Sequence, residues 1–154
     1  MLGFALSAAI WWCYFDRDDE RGQQALARVD QDARARLALY AYSYAHWIMI
    51  AGIVAVAAGV QGVIADVVGI VTNAVAWSLA AGIALYLLGD VWFRSQLRIG
   101  EARVRLVTAA IALATAAIGM ALGSLLQLAL LVVLLVSMLV LERWLEADAA
   151  APPK

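Results

Sequence analysis

From Leu37 to Ile64 the chain runs for 28 residues, LALYAYSYAHWIMIAGIVAVAAGVQGVI, without a formal charge. As an α-helix rising about 1.5 Å per residue, that run is about 42 Å long, against a hydrocarbon core of roughly 30 Å. It spans a bilayer with tilt or overhang to spare. The backbone of a segment in lipid must satisfy its own hydrogen bonds, so a single long apolar run commits itself to helix. The rest of the chain has the same character. It is 66% hydrophobic and 15% charged, with mean hydropathy +0.86, whereas soluble domains are about 45–50% apolar. The lipid bilayer is thus the first partner the sequence implies.

Four further runs follow the same logic. Residues 2–15, LGFALSAAIWWCYF, are apolar but only about 21 Å long as a helix. They lack the basic start and small-residue cleavage site of a signal peptide, and they read as a span missing its first turn, with Met1 expected to be either an internal start or a boundary within a longer chain. Residues 74–93, 104–122 and 125–141 complete the set. The sequence therefore predicts an all-α, polytopic transmembrane bundle of about five helices over residues 1–146, with spans at 2–15, 37–64, 74–93, 104–122 and 125–141. Residues 16–36 form a charged, partly helical loop, and residues 147–154, ending in Pro152 and Pro153, a disordered tail.

Arginine and lysine beside a span stay on the cytoplasmic side. Loop one carries Arg17, Arg21, Arg28, Arg34 and Arg36; loop three carries Arg94, Arg98, Arg103 and Arg105; the C-terminal segment carries Arg143 and Lys154. The second and fourth connections carry none. This alternation predicts a bacterial inner-membrane protein with its N-terminus outside and its C-terminus in the cytoplasm. A net charge of −1, with the arginines confined to short loops, argues against nucleic-acid binding. The lone Cys13 allows neither an intrachain disulfide nor a multi-cysteine metal site, and it reads as a small buried apolar residue.

On a helical wheel of residues 37–64, Ala41, Ala45, Gly52, Ala55, Gly59 and Gly62 share one stripe. Tyr42, His46, Ile53, Ala57 and Gln61 lie roughly opposite. Small stripes let helices approach closely in membranes, so Gly52 and Gly59, and the Gly119–Gly123 GxxxG, are read as packing positions, within the chain or at a dimer seam. The run 125–141, nearly all large aliphatics, reads as lipid-facing.

Ionisable groups in spans tend to face a bundle interior or a water cavity. The topology puts Asp16, His46, Asp90 and Glu142 in the cytoplasmic half. Asp16, Tyr42, His46, Tyr86 and Asp90 are the candidate polar pocket, in which a carboxylate partner would set the histidine tautomer. The plainer alternative has Asp90 paired with Arg94 one turn away, and His46 bonded to a tyrosine or a backbone carbonyl. The tryptophans and tyrosines gather near span ends, as in an aromatic belt. No phosphate loop, HExxH, GxSxG or partnered nucleophile is present, and no mid-span lysine offers a Schiff base. No cofactor, metal or standard enzymatic activity is expected. An intramembrane hydrolase built on His46 and aspartates is the least favoured reading.

Three stretches, LSAAIWWCYFDR at residues 6–17, AYSYAHWIMIAGIVAVAAGV at 41–60 and GIALYLLGDVWFR at 82–94, resemble the low temperature requirement A (LtrA) family. Trp11, Trp12, Tyr14, Phe15, Asp16, Tyr44, His46 and Gly52 carry the resemblance most specifically. It implies a polytopic bacterial membrane protein named for a cold-growth phenotype, and a chain similar to the C-terminal half of longer members. The leading functional expectation is proton-linked or small-solute transport. The alternative is a structural half-module that assembles with an N-terminal membrane half or with itself.

Overall fold

The order of elements follows the apolar runs. A computed structural model of the chain describes residues 1–15, 23, 24, 27, 30–65, 73–99 and 102–149. Helix α1 covers Leu2–Phe15, and α2 covers Gln31–Ala38. A π-helical turn, Leu39–Tyr44, joins α2 to α3, Ala45–Ala65, so that one helix runs on through both. Then come α4, Asn73–Leu97, α5, Arg103–Leu122, and α6, Ser124–Ala149. No strand occurs among the described residues. The continuous α2–α3 helix and α4, α5 and α6 are each long and apolar enough to cross a membrane, and α1 is a shorter apolar helix.

Two helices outrun their predicted spans. Helix α4 continues past 93 to Leu97, where Arg98 takes a left-handed φ of +54° and the Ile99 amide donates to the Arg94 carbonyl at 3.0 Å. Helix α6 continues to Ala149, so residues 147–149, expected in the tail, are helical. The segment LERWLEADA is polar but made largely of good helix formers, so the helix persists after the apolar stretch ends. The rest of the tail lies outside the described residues.

Sequence neighbours pack as antiparallel neighbours, α3 on α4, α4 on α5 and α5 on α6, while α1 lies against α6. The closest approach is between α3 and α4. A Cβ on Gly52 would stand 2.6 Å from the Tyr86 amide nitrogen and 2.7 Å from the Gly82 carbonyl oxygen. Gly82 and Gly89 return the fit against Val56 and Met49. The small stripe of the wheel is thus a seam within one chain, and Gly59 sits in it against Leu79. Gly119 accommodates the Gln127 amide, which donates to the Ala76 carbonyl at 2.8 Å and reaches Thr115 Oγ1 at 3.4 Å.

Gly123 lies, as expected, between the spans ending at 122 and starting at 125, but it departs from its reading as a packing position. It lies outside both helices at φ +109°, with open space where a Cβ would be, so it forms the turn between α5 and α6 rather than a helix contact. Helix α6 likewise is not wholly lipid-facing. Val133, Val136 and Val140 are exposed, but Leu128, Leu131, Leu135 and Met138 are buried against the bundle.

Candidate functional site

Every arginine among the described residues lies at or beyond one end of the bundle, where α1, α4 and α6 finish and α3 and α5 begin. One of the predicted pocket residues, Asp90, meets partners there together with the span-end Glu142. Asp90 is fully buried, and its Oδ2 accepts from Arg105 Nη1 at 2.5 Å and faces Arg94 Nε at 3.4 Å. Arg105, itself 2% exposed, also clasps Glu142 with two parallel bonds, Nε to Oε1 at 2.9 Å and Nη2 to Oε2 at 3.0 Å. Its Nη2 further donates to the Cys13 carbonyl at 3.2 Å, and Arg94 Nη2 stands 3.8 Å from Glu142. Two carboxylates and two guanidiniums make a neutral cluster that ties α1, α4, α5 and α6 together. Planar, bidentate pairing is what arginine does better than lysine.

His46 belongs to a separate group. Its Nδ1 lies 3.2 Å from the Ala41 carbonyl and its Nε2 lies 3.1 Å from Tyr14 Oη. A carbonyl only accepts, so Nδ1 carries the hydrogen; in the neutral ring Nε2 is then the acceptor and Tyr14 donates to it. The π-helical turn creates this arrangement. It shifts backbone pairing to i→i+5, as in the Ala45 amide bonding the Tyr40 carbonyl, and aims the Ala41 carbonyl at the imidazole. Such turns inside α-helices are frequent at functional sites. Aromatic rings enclose the imidazole, Tyr42 stacked at 5.6 Å and Tyr14 and Phe93 edge-on at 5.4 Å each.

Tyr86 stands between the two groups. Its hydroxyl donates to the Ile10 carbonyl at 2.8 Å and so pins α1 to α4. The predicted pocket therefore divides. His46 and Tyr42 share one cluster, Asp90 belongs to the other, and Tyr86 faces α1. Both imidazole nitrogens are engaged away from Asp90, which the arginines occupy. Asp16 lies outside the described residues.

Beside His46, a cleft of about 990 Å³ opens between α1 and α3. Phe4, Ile10, Ile50, Ile53, Val60 and Leu128 are among its apolar walls, with Tyr14, His46 and Tyr86 at one end and Gln61 towards the other. On α3 the lining includes His46, Ile53, Ala57 and Gln61, four of the five wheel positions named opposite the small stripe. The volume is at the upper end of the roughly 300–1,000 Å³ typical of ligand sites, and a few polar groups in an apolar lining is the usual pattern for one.

Arg105 and Tyr14 are the site residues that sequence reasoning left out. Arg105 is counted with the basic residues of loop three although it falls at the edge of the predicted span 104–122, and that position within the span bounds is the signal that its charge needs a partner. Tyr14 was assigned to the aromatic belt.

The family model for Bacterial low temperature requirement A protein (LtrA) matches residues 1–140, nearly the whole chain. No curated protein and no solved structure matches it.

Proposed function

The chain belongs to the low temperature requirement A family, and on that premise we propose that it is an integral membrane protein which binds and moves a small solute, with proton exchange at His46 linked to the movement. The observation that carries this reading is the cleft between α1 and α3, which brings the imidazole and the Tyr14 hydroxyl to one end of a largely apolar space. A neutral imidazole accepts from Tyr14, and a protonated one donates through the same nitrogen, so the pair holds or releases a proton without breaking the Ala41 contact. Asp90 and Glu142 take no part in the movement, because the arginines neutralise them.

The proposed setting is the bacterial inner membrane, with the arginine-bearing end in the cytoplasm and the start of α1 outside, following the bias of basic residues. The test is proton flux in reconstituted vesicles under an imposed pH gradient. His46→Ala and Tyr14→Phe are expected to lower the flux while the protein stays folded. Equal flux in wild type and both variants removes the transport reading.

Gln61 favours a second reading. It is exposed on the cleft face of a helix long enough to cross the membrane, and amide side chains in membranes serve as contacts between helices. Under this reading the cleft receives another helix, from an N-terminal membrane half or a second copy, and the chain is an assembly module. Gln61→Leu would then weaken association and leave vesicle flux unaffected.

A further inference from the structure

We propose that the cleft between α1 and α3 is a binding site for a single-chain amphiphile with an acidic head group, a long-chain carboxylic acid. The inference rests on the solute reading above and names the class of solute. Shape comes first. The cleft follows α1 for most of its length, about 20 Å, and its walls are aliphatic and aromatic, which suits one extended acyl chain lying along the helices. Polarity comes second. Tyr14 and His46 place a hydroxyl and an imidazole side by side at one end, the end at which the bundle carries its arginines, so a head group there reaches towards the membrane interface; of the other polar side chains in the lining, Ser7 bonds its own helix at the Gly3 carbonyl and Gln61 is a neutral amide.

Charge complementarity selects the head group. No aspartate or glutamate side chain lines the cleft among the described residues, and the nearby Asp90 and Glu142 are held by Arg105 and Arg94. A cationic head would find no counter-charge in the cleft. A carboxylic acid finds His46, the lining side chain that can take up its proton and carry the matching positive charge. On binding, the acid O–H bond breaks and its proton moves to His46 Nε2, giving carboxylate and imidazolium. Nε2–H and the Tyr14 hydroxyl then both donate to the carboxylate, while Nδ1–H keeps its bond to the Ala41 carbonyl. An ester or an alcohol cannot make this exchange, so the site discriminates by head group as well as by chain.

The test uses the full chain in detergent with a diazirine-bearing palmitic acid as probe. Photolabelling is expected on the α1 and α3 residues of the cleft, and unlabelled palmitic acid should compete about tenfold better than methyl palmitate, as one charge-assisted hydrogen bond provides. His46→Gln should abolish that preference for acid over ester. Ile53→Trp, which fills the cleft, should abolish cleft labelling, whereas Val133→Trp on the outer face of α6 should not. Labelling spread equally over the cleft and residues such as Val133 would overturn the proposal, and so would equal competition by the ester. Cysteine crosslinks at position 53 joining two copies, with no labelling, would overturn it in favour of a helix in the cleft. If labelling fails while vesicle flux still depends on His46, the solute class is wrong and the transport reading stands; labelling without flux has the opposite meaning.

Discussion

Arg105 is the residue on which most depends. Its guanidinium serves two carboxylates and a backbone carbonyl from three other helices, with Arg105 and Asp90 buried and Glu142 part-buried. Removing one member of a buried ion cluster leaves the remaining charges uncompensated, at a cost of about 3–5 kcal/mol. Arg105→Met is therefore expected to lower the unfolding free energy in detergent by that amount, and Arg105→Lys to recover only part of it, because lysine cannot present the fork that meets both Glu142 oxygens. Adding Asp90→Asn to Arg105→Met should cost less than the sum of the single changes, which a double-mutant cycle reads directly. The sequence marked both acidic partners and the Asp90–Arg94 pairing. It could not mark Arg105 as their hub, since those contacts span 15 and 37 residues of chain and exist only once the helices pack. His46 shows the same division: the histidine stood out, and the plainer alternative of a tyrosine and a carbonyl describes its partners, but Tyr14 is supplied by a helix 32 positions away.

At the scale of elements, helix positions were legible because apolar runs of twenty residues leave little choice in lipid. The α3–α4 seam was legible too, as a stripe of small residues. The π-helical turn was not, because LYAYSY contains no glycine or proline to mark a change of pitch, and the GxxxG at Gly119 misled because its second glycine falls in the expected break between spans, where it forms the turn and makes no helix contact. Three substitutions examine these elements through thermal unfolding in detergent. Gly52→Val should destabilise by about 1–3 kcal/mol, since the added carbons meet backbone on α4 rather than a movable side chain. Gly123→Ala should cost about 1–3 kcal/mol through its positive φ, although space is available for the methyl group. Arg98→Gly should stabilise by about 1 kcal/mol, because glycine relieves the left-handed strain at the end of α4. Opposite signs for the last two would mean that the turn geometries are misassigned.

The whole molecule combines a bundle closed by a neutral charge cluster at one end with a cleft left open along one side. Closure and opening are connected, because α1 is held to α5 and α4 by the Cys13 and Ile10 carbonyls and reaches α3 through the Tyr14–His46 contact, so the cleft persists between two anchored helices. Everything proposed for the cleft requires these helices to cross a bilayer with the arginine-bearing end on the cytoplasmic side. Single cysteines introduced at Arg98 and Gly123, in a background where the buried Cys13 is replaced by alanine, test that requirement most directly when probed in intact cells with a membrane-impermeant maleimide. The account predicts that the cysteine at 123 is labelled from outside and the one at 98 only after the inner membrane is opened; labelling of both from the same side would contradict it.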